Sequence, residues 1–235
     1  MALPAKNTRC QSKHERAARA EGYRCVAGVD EAGRGSLFGP VFAAAVVLSP
    51  DRPIRGLRDS KVVEADLRDE LAAIIRERAV CWAVAAADVF EIDRINIYQA
   101  SLLAMKRAIE RLSPACDYLL LDAVRLPAID LPQQPIIHGD AKCRCIAAAS
   151  ILAKTARDRC IRAWDEVFPE YGLARNKGYG TEEHQIALEK YGPTMIHRFS
   201  FEPVRLATQQ VLWSGYDQVD ARDGIEPATE SGIHA

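Results

Sequence analysis

Short apolar runs alternate along the chain with segments of helical spacing, and each pattern predicts one kind of element. Uninterrupted apolar runs of about 4–8 residues are typical of buried strands. Five runs predict strands over residues 25–30, 41–48, 80–87, 118–121 and 135–138. The runs at 25–30, 118–121 and 135–138 end in or shortly before Asp30, Asp122 and Asp140. The strand ends are therefore the first place to look for chemistry.

The segments between the runs carry apolar residues at helical spacing. Residues 64–78 and 145–164 follow this pattern, and a further helix is predicted from Thr181, a capping residue, to the stop at Gly192 and Pro193. In another helix the apolar residues recur at steps of 4, 3, 4 and 3: Tyr98, Leu102, Met105, Ile109 and Leu112. Helices alternating with strands predict an α/β protein, with helices packed on a central sheet.

Charge divides the chain into three segments. Residues 1–22 carry five basic and two acidic residues, which predicts a basic helix or arm. Residues 23–205 contain no linker rich in Pro and Gly, so we expect one domain with a helical C-terminal part. Residues 206–235 are predicted to hold the end of a helix and a disordered acidic tail, because five acids and one Arg fall within 216–235.

The composition is that of a globular protein without a membrane segment. The 235 residues are 49% hydrophobic and 27% charged, with a net charge of -1. This balance argues against a protein that coats nucleic acid by charge alone, although residues 141–162 hold six Lys or Arg against one Asp. The longest uncharged run, residues 35–50, is shorter than the roughly 20 residues that a membrane-spanning helix needs. The N-terminus also lacks the apolar stretch of a secretory signal.

The cysteines predict a reduced, cytoplasmic protein. There are seven, the spacing is irregular, and no C-x-x-C motif occurs. We therefore expect no structural zinc site. The close pair Cys143 and Cys145 is interpreted as two thiols beside a helix start.

Acidic residues at strand ends are the main chemical signal. Asp30 and Glu31 end the first predicted strand, Asp122 follows the fourth, and Asp140 follows the fifth. Ligands of α/β sheets bind beyond one common edge of the strands. Several carboxylates meeting there would repel one another unless a cation balanced them, and Mg²⁺ prefers oxygen ligands. The pattern indicates a site for Mg²⁺ or Mn²⁺, with ordinary exposed strand-end acids as the alternative.

The segment Gly33-Arg34-Gly35 follows directly after the first acidic pair. Two glycines around an Arg let backbone amides approach a phosphate or sugar closely, and the alternative is a plain turn. Adjacent strand residues point to opposite faces, so Asp30 and Glu31 share a site only if the backbone turns there. The two glycines permit such a turn.

Taken together, the motifs closely resemble those of the ribonuclease HII family. The resemblance covers roughly residues 16–206, with the motifs in the family's order. The motifs are A-G-V-D-E-A-G-R-G at 27–35 with G-P-V at 39–41, D-S-K at 59–61, L-D at 121–122, G-D-A-K with I-A-A-A-S-I-L-A-K at 139–154, N-K-G-Y-G-T at 176–181, and H-R-F-S-F at 197–201.

The resemblance implies a ribonuclease H-like fold: a mixed five-stranded sheet flanked by helices, with a helical C-terminal extension. It implies a metal-dependent endoribonuclease that cleaves the RNA strand of RNA–DNA hybrids. It also implies incision on the 5′ side of ribonucleotides embedded in duplex DNA, by two-metal hydrolysis that leaves a 5′-phosphate. The cofactor would be Mn²⁺ or Mg²⁺. A replication or repair protein is a candidate partner for the C-terminal tail.

The resemblance also implies roles for individual residues. The catalytic and metal-binding group would be Asp30, Glu31, Asp122 and Asp140. The substrate-binding group would be Gly33, Arg34, Gly35, Ser60, Lys61, Lys142, Ser150, Lys177 and Tyr179. The G-R-G backbone would read the ribose 2′-hydroxyl, and Tyr179 would pack on the deoxyribose at the RNA–DNA junction. The three lysines are candidate phosphate contacts, and the two serines are substrate or structural groups.

Two other functions compete with this interpretation. One is a nucleic-acid-binding protein on the same fold without catalysis, against which the intact acidic set argues. The other is a different metal nuclease of the same broad fold, such as an integrase-like enzyme, against which the G-R-G and N-K-G-Y-G segments argue. The related ribonuclease HIII carries an extra N-terminal domain, and the 29 residues before Asp30 disfavour it.

Overall fold

The computed structural model describes residues 10–58, 60 and 63–209. In this part of the chain five strands form one sheet: β1 (Val26–Ala32), β2 (Val41–Leu48), β3 (Ala79–Ala87), β4 (Tyr118–Asp122) and β5 (Gln133–Ile136). Their order across the sheet is β3-β2-β1-β4-β5. β2 runs antiparallel to β1 and β3, whereas β4 runs parallel to β1 and β5. The expected mixed five-stranded sheet is confirmed.

Helices connect the strands and cover both faces of the sheet. They are α1 (Lys13–Ala20), α2 (Ala65–Arg78), α3 (Val89–Glu110), α4 (Gly139–Lys142), α5 (Arg144–Val167), α6 (Leu173–Asn176) and α7 (Glu182–Tyr191). A 3₁₀ turn spans Pro169–Tyr171, and residues 202–209 are helical. Within the described segments no helix is both long enough and apolar enough to cross a membrane.

The sheet lies between two helical layers, each with its own apolar cluster. α3 packs on one face, against alternate side chains of β1 to β4 such as Val29, Ala45 and Leu121. α2 and α5 pack on the other face, where the alanine-rich start of α5 contacts Ala44 and Val46 of β2. β2 is apolar at every position because both of its faces are buried.

The starts of two predicted elements are displaced by two residues or more. α3 begins at Val89 rather than at Tyr98, because Asp88 and Glu91 form a capping box and the chain continues through a kink at Asn96, where φ is 66°. β5 lies two residues earlier than predicted and contains Pro135. Proline is tolerated there because β5 is an edge strand, paired only with β4 among the described strands.

The C-terminal part packs around a separate apolar cluster that includes Phe38, Ile161 and Tyr171. Two buried histidines lie within it, and the Nε2 atoms of His184 and His197 are 3.1 Å apart. Burial, together with the neighbouring imidazole of His184, lowers the pKa of His197 to about 3. Both rings have structural partners: His184 contacts the Tyr179 carbonyl, and His197 accepts from the Thr194 amide.

The three-segment division of the chain remains a prediction.

Candidate active site

Three carboxylates converge at one edge of the sheet. The parallel pairing of β1 and β4 ends at Val29 and Leu121, and the next residue on each strand is acidic: Asp30 and Asp122. Asp140 reaches the same edge from α4, which begins just after β5. One oxygen from each of the three side chains lies within 4.8 Å of the others. The convergence expected from the strand ends is therefore present in the fold.

The cluster is costly to bury as three anions. Asp30 is 4% exposed, and burial raises the pKa of its carboxyl well above the usual range. The nearby charges of Glu31 and Asp122 raise it further, while a hydrogen bond from Ser150 lowers it. Like charges held together in a low-dielectric site favour a bound cation or a shared proton. The donors are hard oxygen atoms, the type that Mg²⁺ and Mn²⁺ prefer.

Glu31 lies beside this cluster and outside the group of three. The backbone does not turn between Asp30 and Glu31, because β1 continues to Ala32 and Glu31 pairs with Ala43 of β2. The turn comes one residue after the strand, at Gly33, where φ is +95°. The two neighbouring acids therefore start from opposite faces of the sheet.

The Glu31 carboxylate is nevertheless electrostatically coupled to the cluster. Burial raises its pKa, Arg34 lowers it, and the charge of Asp122 raises it again. Arg34 Nη1 lies 3.3 Å from Glu31 Oε1. Glu31 Oε2 is buried without a hydrogen-bond partner among the described residues. A buried carboxylate oxygen left in this way fits a cation ligand.

Backbone and hydroxyl groups hold the acids in place. Asp122 Oδ1 accepts a hydrogen bond of 2.7 Å from the Gly139 amide, which links β4 to the start of α4. The oxygens Ser60 Oγ and Ser150 Oγ are 2.8 Å apart, and both residues are buried. Because Ser150 also bonds to Asp30, the two serines form a chain that ends on a carboxylate of the cluster.

The G-R-G segment is fixed by two arginines that are fully buried. A Cβ at Gly33 would lie 2.2 Å from Arg157 Nε, so only glycine fits against this guanidinium. Arg198 donates to the Arg34 carbonyl at 2.9 Å and to the Gly39 carbonyl at 2.9 Å. The backbone that follows the acidic pair is thus held by side chains from α5 and from the C-terminal part.

Tyr179 lies next to this segment, although it follows Gly35 by 144 positions in the chain. An antiparallel bridge pairs Ser36 with Tyr179. The Arg157 guanidinium carbon is 5.1 Å from the centre of the Tyr179 ring, and the residue is 37% exposed. The cation therefore supports one face of the ring, and the side chain remains accessible to a ligand.

The predicted lysines have different surroundings. The exposed Lys142 ammonium donates to the Ile137 carbonyl at 2.7 Å, near Asp140. Lys177 lines a cavity of about 180 Å³ together with Arg68, Lys154 and Arg162. Lys61 lies outside the described residues, as does the acidic tail beyond position 209.

The basic run at 141–162 does not present one continuous basic face. Arg157 is fully buried, Lys154 pairs with Asp158 at 2.7 Å, and Arg144 donates to the Ile54 carbonyl. Arg162 remains exposed, 3.9 Å from Asp69. Much of this positive charge is therefore buried or bonded to other groups of the protein.

Sequence reasoning did not assign a site role to Arg157 or Arg198. A usable signal existed for Arg157, which lies four residues after Ala153 and four before Ile161 on the buried face of α5. A charged residue on an apolar helical stripe indicates a buried polar network. Arg198 precedes the exposed Phe199 in an irregular segment, and the H-R-F-S-F motif includes it without indicating a role.

The sheet order and the flanking helices are those of the ribonuclease H-like class of folds. Three solved structures share the fold. The ribonuclease H2 from Pyrococcus horikoshii OT3 matches with a TM-score of 0.68 and 24% identity, over 80% of this chain and 98% of that one. The ribonuclease HII of the Archaeoglobus fulgidus complex with PCNA matches with a TM-score of 0.64 and 24% identity, over 76% and 96%. Bst-RNase HIII in complex with Mn²⁺ matches with a TM-score of 0.64 and 20% identity, over 82% and 72%.

Sequence comparison identifies the family. The family model of ribonuclease HII matches residues 27–204. Ribonuclease HII of Solibacter usitatus is 62% identical over 197 residues, which cover 84% of this chain and 86% of the relative. Ribonuclease HII of Koribacter versatilis is 52% identical over 209 residues, covering 88% and 82%. The chain belongs to the ribonuclease HII family, and it is a metal-dependent endonuclease of the ribonuclease H type.

Proposed function

We propose that this protein hydrolyses the RNA strand of RNA–DNA hybrids and incises duplex DNA on the 5′ side of an embedded ribonucleotide. The observation that carries the proposal is the convergence of Asp30, Asp122 and Asp140 within 4.8 Å, with the unpartnered oxygen of Glu31 beside them. The site offers carboxylate oxygens for cations and no side-chain nucleophile is needed, so the attacking group is water.

The four acids supply the cation ligands. When bound, divalent cations would lower the pKa of the attacking water, stabilise the leaving 3′-oxygen and neutralise the scissile phosphate. Asp122 is oriented by the Gly139 amide, and Asp30 is hydrogen-bonded by Ser150, which in turn contacts Ser60. These contacts fix the carboxylates before substrate arrives, which reduces the reorganisation required during the reaction. Ser60 and Ser150 therefore act as positioning residues.

The backbone of the G-R-G segment is proposed to recognise the ribose 2′-hydroxyl. A hydroxyl on one sugar is what distinguishes RNA from DNA at a single position. Rigid backbone groups are suited to this task, and the carbonyls of Arg34 and Gly39 are each held by Arg198. The glycine at position 33 also lets the segment pack against Arg157 without a side chain between them.

Tyr179 is the proposed contact for the deoxyribose at the RNA–DNA junction. Its exposed ring borders the G-R-G segment through the Ser36 bridge, so both elements can contact neighbouring nucleotides. Lys61, Lys142 and Lys177 are proposed to contact phosphates. A phosphate contact makes binding weaken as salt rises, because counterions are released on association.

The ion is proposed to be Mn²⁺ or Mg²⁺, both of which accept an all-oxygen ligand set.

We further propose that the protein acts in the cytoplasm, since all seven cysteines are free thiols as expected in a reducing compartment. The acidic tail within residues 206–235 is proposed to contact a replication or repair protein. The solved complex of a ribonuclease HII with PCNA supports this kind of partner.

A cleavage assay on a DNA duplex containing one ribonucleotide tests the proposal. Wild type with Mg²⁺ or Mn²⁺ is expected to cut on the 5′ side of the ribonucleotide and to leave an all-DNA duplex intact. Asp122→Asn is expected to lose at least about 100-fold in rate, since a cation ligand is worth several kcal/mol in the transition state. Asn keeps the oxygen that accepts from Gly139, so the fold should survive.

Asp130→Asn is the matched control, because it is the same substitution at an exposed acid outside the cluster. Substrate binding is measured in parallel by fluorescence anisotropy. Binding without metal-dependent cleavage by wild type would support the non-catalytic binding protein. Cleavage of the all-DNA duplex would support an integrase-like nuclease.

A further inference from the structure

A second group of possible metal ligands lies behind the acidic cluster, between α1 and the start of α5. It consists of Glu15, Cys143 and Cys145, all buried, with one ligand atom from each residue within 4.8 Å of the others. The sulfurs of the two cysteines are 3.4 Å apart. Two ligands of a tetrahedral zinc ion with Zn–S bonds of about 2.3 Å lie roughly 3.8 Å apart. The observed spacing is close to that geometry.

Cys145 hydrogen-bonds the Glu15 carboxylate through both its thiol and its backbone amide. Oε1 accepts from the Cys145 amide at 3.0 Å, which is a favourable place for an anion because it lies at the N-terminus of α5. Oε2 is buried and has no hydrogen-bond partner within the described ranges. The residue as a whole is only 3% exposed. Burying a carboxylate oxygen without a partner is expensive. A cation between this oxygen and the two sulfurs would remove that cost.

Cys10 lies at the edge of the same group. Its thiol donates to the Asp140 carbonyl at 3.2 Å, and the Gln11 amide donates to the Lys142 carbonyl at 3.0 Å. Burial, and after it the charges of Cys143, Asp140 and Glu15, raise the pKa of the Cys10 thiol to about 11. A structural zinc ion takes four ligands. Cys10 is not among the three residues whose ligand atoms lie within 4.8 Å of one another, so it would complete the set only if its thiol turned from the Asp140 carbonyl toward the ion.

We propose that Cys10, Glu15, Cys143 and Cys145 form a structural site for a thiophilic divalent cation, with Zn²⁺ as the favoured ion. The proposal departs from the expectation, based on cysteine spacing, that the chain has no structural zinc site. The four ligands come from two separated segments, so a motif such as C-x-x-C does not mark them. Binding releases the thiol protons to solvent and leaves thiolates on the ion.

The site would join the N-terminal segment to the segment that carries Asp140. Cys10 and Glu15 come from residues before β1, whereas Cys143 and Cys145 follow Asp140 by three and five residues. The bound ion would therefore stabilise the chain at the base of α4 without contacting substrate. The proposal concerns stability and metal content, and it does not depend on the nuclease reaction.

Cobalt titration of the full chain tests the proposal. Protein purified under reducing conditions and stripped by a chelator is titrated with Co²⁺ and followed by absorption. Thiolate ligands give a near-ultraviolet charge-transfer band that carboxylates do not, so the acidic cluster cannot produce it. One equivalent of Co²⁺ is expected to produce the band. Added Zn²⁺ is expected to displace the Co²⁺ and abolish the band. Absence of the band in fully reduced wild type would overturn the proposal.

Variants assign the ligands. The double variant Cys143→Ser/Cys145→Ser is expected to lose the band, while Cys160→Ser, a thiol elsewhere on α5, should keep it. If the double variant does not fold, Glu15→Gln provides the test, with affinity for Zn²⁺ at least about 10-fold weaker. Zn²⁺ at about 100 times its dissociation constant should raise the wild-type unfolding temperature by about 5 °C or more. A band of full strength in a folded double variant would overturn the proposal.

Discussion

Gly28 lies where β1 contacts the first turn of α5, and a side chain at this position would collide with the helix backbone. A Cβ built there would be 2.2 Å from the Cys145 carbonyl carbon and 2.4 Å from the Ile146 amide nitrogen. Carbon atoms in ordinary contact are about 3.5–4.0 Å apart. In Gly28→Ala the strand and the helix would therefore have to separate by roughly 1.3 Å or more.

This displacement cannot be avoided by a change of rotamer, because the atoms in collision are backbone. The start of α5 is packed tightly by alanines against β2, so separating the two elements opens space along that face. Overpacking of a close-packed core costs typically about 1–3 kcal/mol, and a rigid collision falls at the upper end or above it. We expect Gly28→Ala to lower the free energy of unfolding by about 3 kcal/mol, equivalent to about 6–12 °C in unfolding temperature.

Urea unfolding followed by circular dichroism measures the change. Gly35→Ala is the matched control, because no described atom lies within 4 Å of a Cβ at that position and the backbone is not left-handed there. It should remain within about 0.5 kcal/mol of wild type. If Gly28→Ala is equally stable, the close approach of β1 and α5 is not a determinant of this fold.

Three further predictions follow from buried and exposed groups described above. Histidine in the unfolded chain binds a proton near pH 6.5, whereas His197 in the folded protein does so near pH 3. The contribution of His197 to the free energy of unfolding is therefore fully present above pH 6.5 and is lost as the pH falls. Urea unfolding at pH 5 should show a loss of about 2 kcal/mol. Arg198→Met leaves the carbonyls of Arg34 and Gly39 without their donor and should cost about 2–4 kcal/mol in the same assay. Tyr179→Ala should slow cleavage at a single ribonucleotide about 10-fold, while Tyr179→Phe keeps the ring and most of the rate.

Each of these predictions has an internal comparison. The pH-dependent loss should shrink in His197→Gln, which cannot gain a proton, and an unchanged pH profile would contradict the assignment. A fully stable Arg198→Met would mean that solvent satisfies the two carbonyls. For Tyr179, equal rates of the Ala and Phe variants would exclude a contribution from the ring.

The acidic strand ends illustrate how far sequence reasoning reached. Runs of apolar residues ending at Asp30 and Asp122 predicted the two central strands and the site at their ends, because burial on both faces leaves a pattern that is readable locally. The same reasoning could not place Glu31. Its position depends on where β1 stops pairing with β2, and the strand continued to Ala32.

The sequence by itself determined the order of elements, the class of fold and the family, because apolar periodicity and short motifs are local properties of the chain. The tertiary structure decided which distant residues meet. It brought Ser36 to Tyr179, Arg198 to the Arg34 carbonyl, and Glu15 to Cys145 across 130 positions of the chain. Such contacts arise from strand register and helix packing, which depend on the whole core at once, so no window of the sequence contains them.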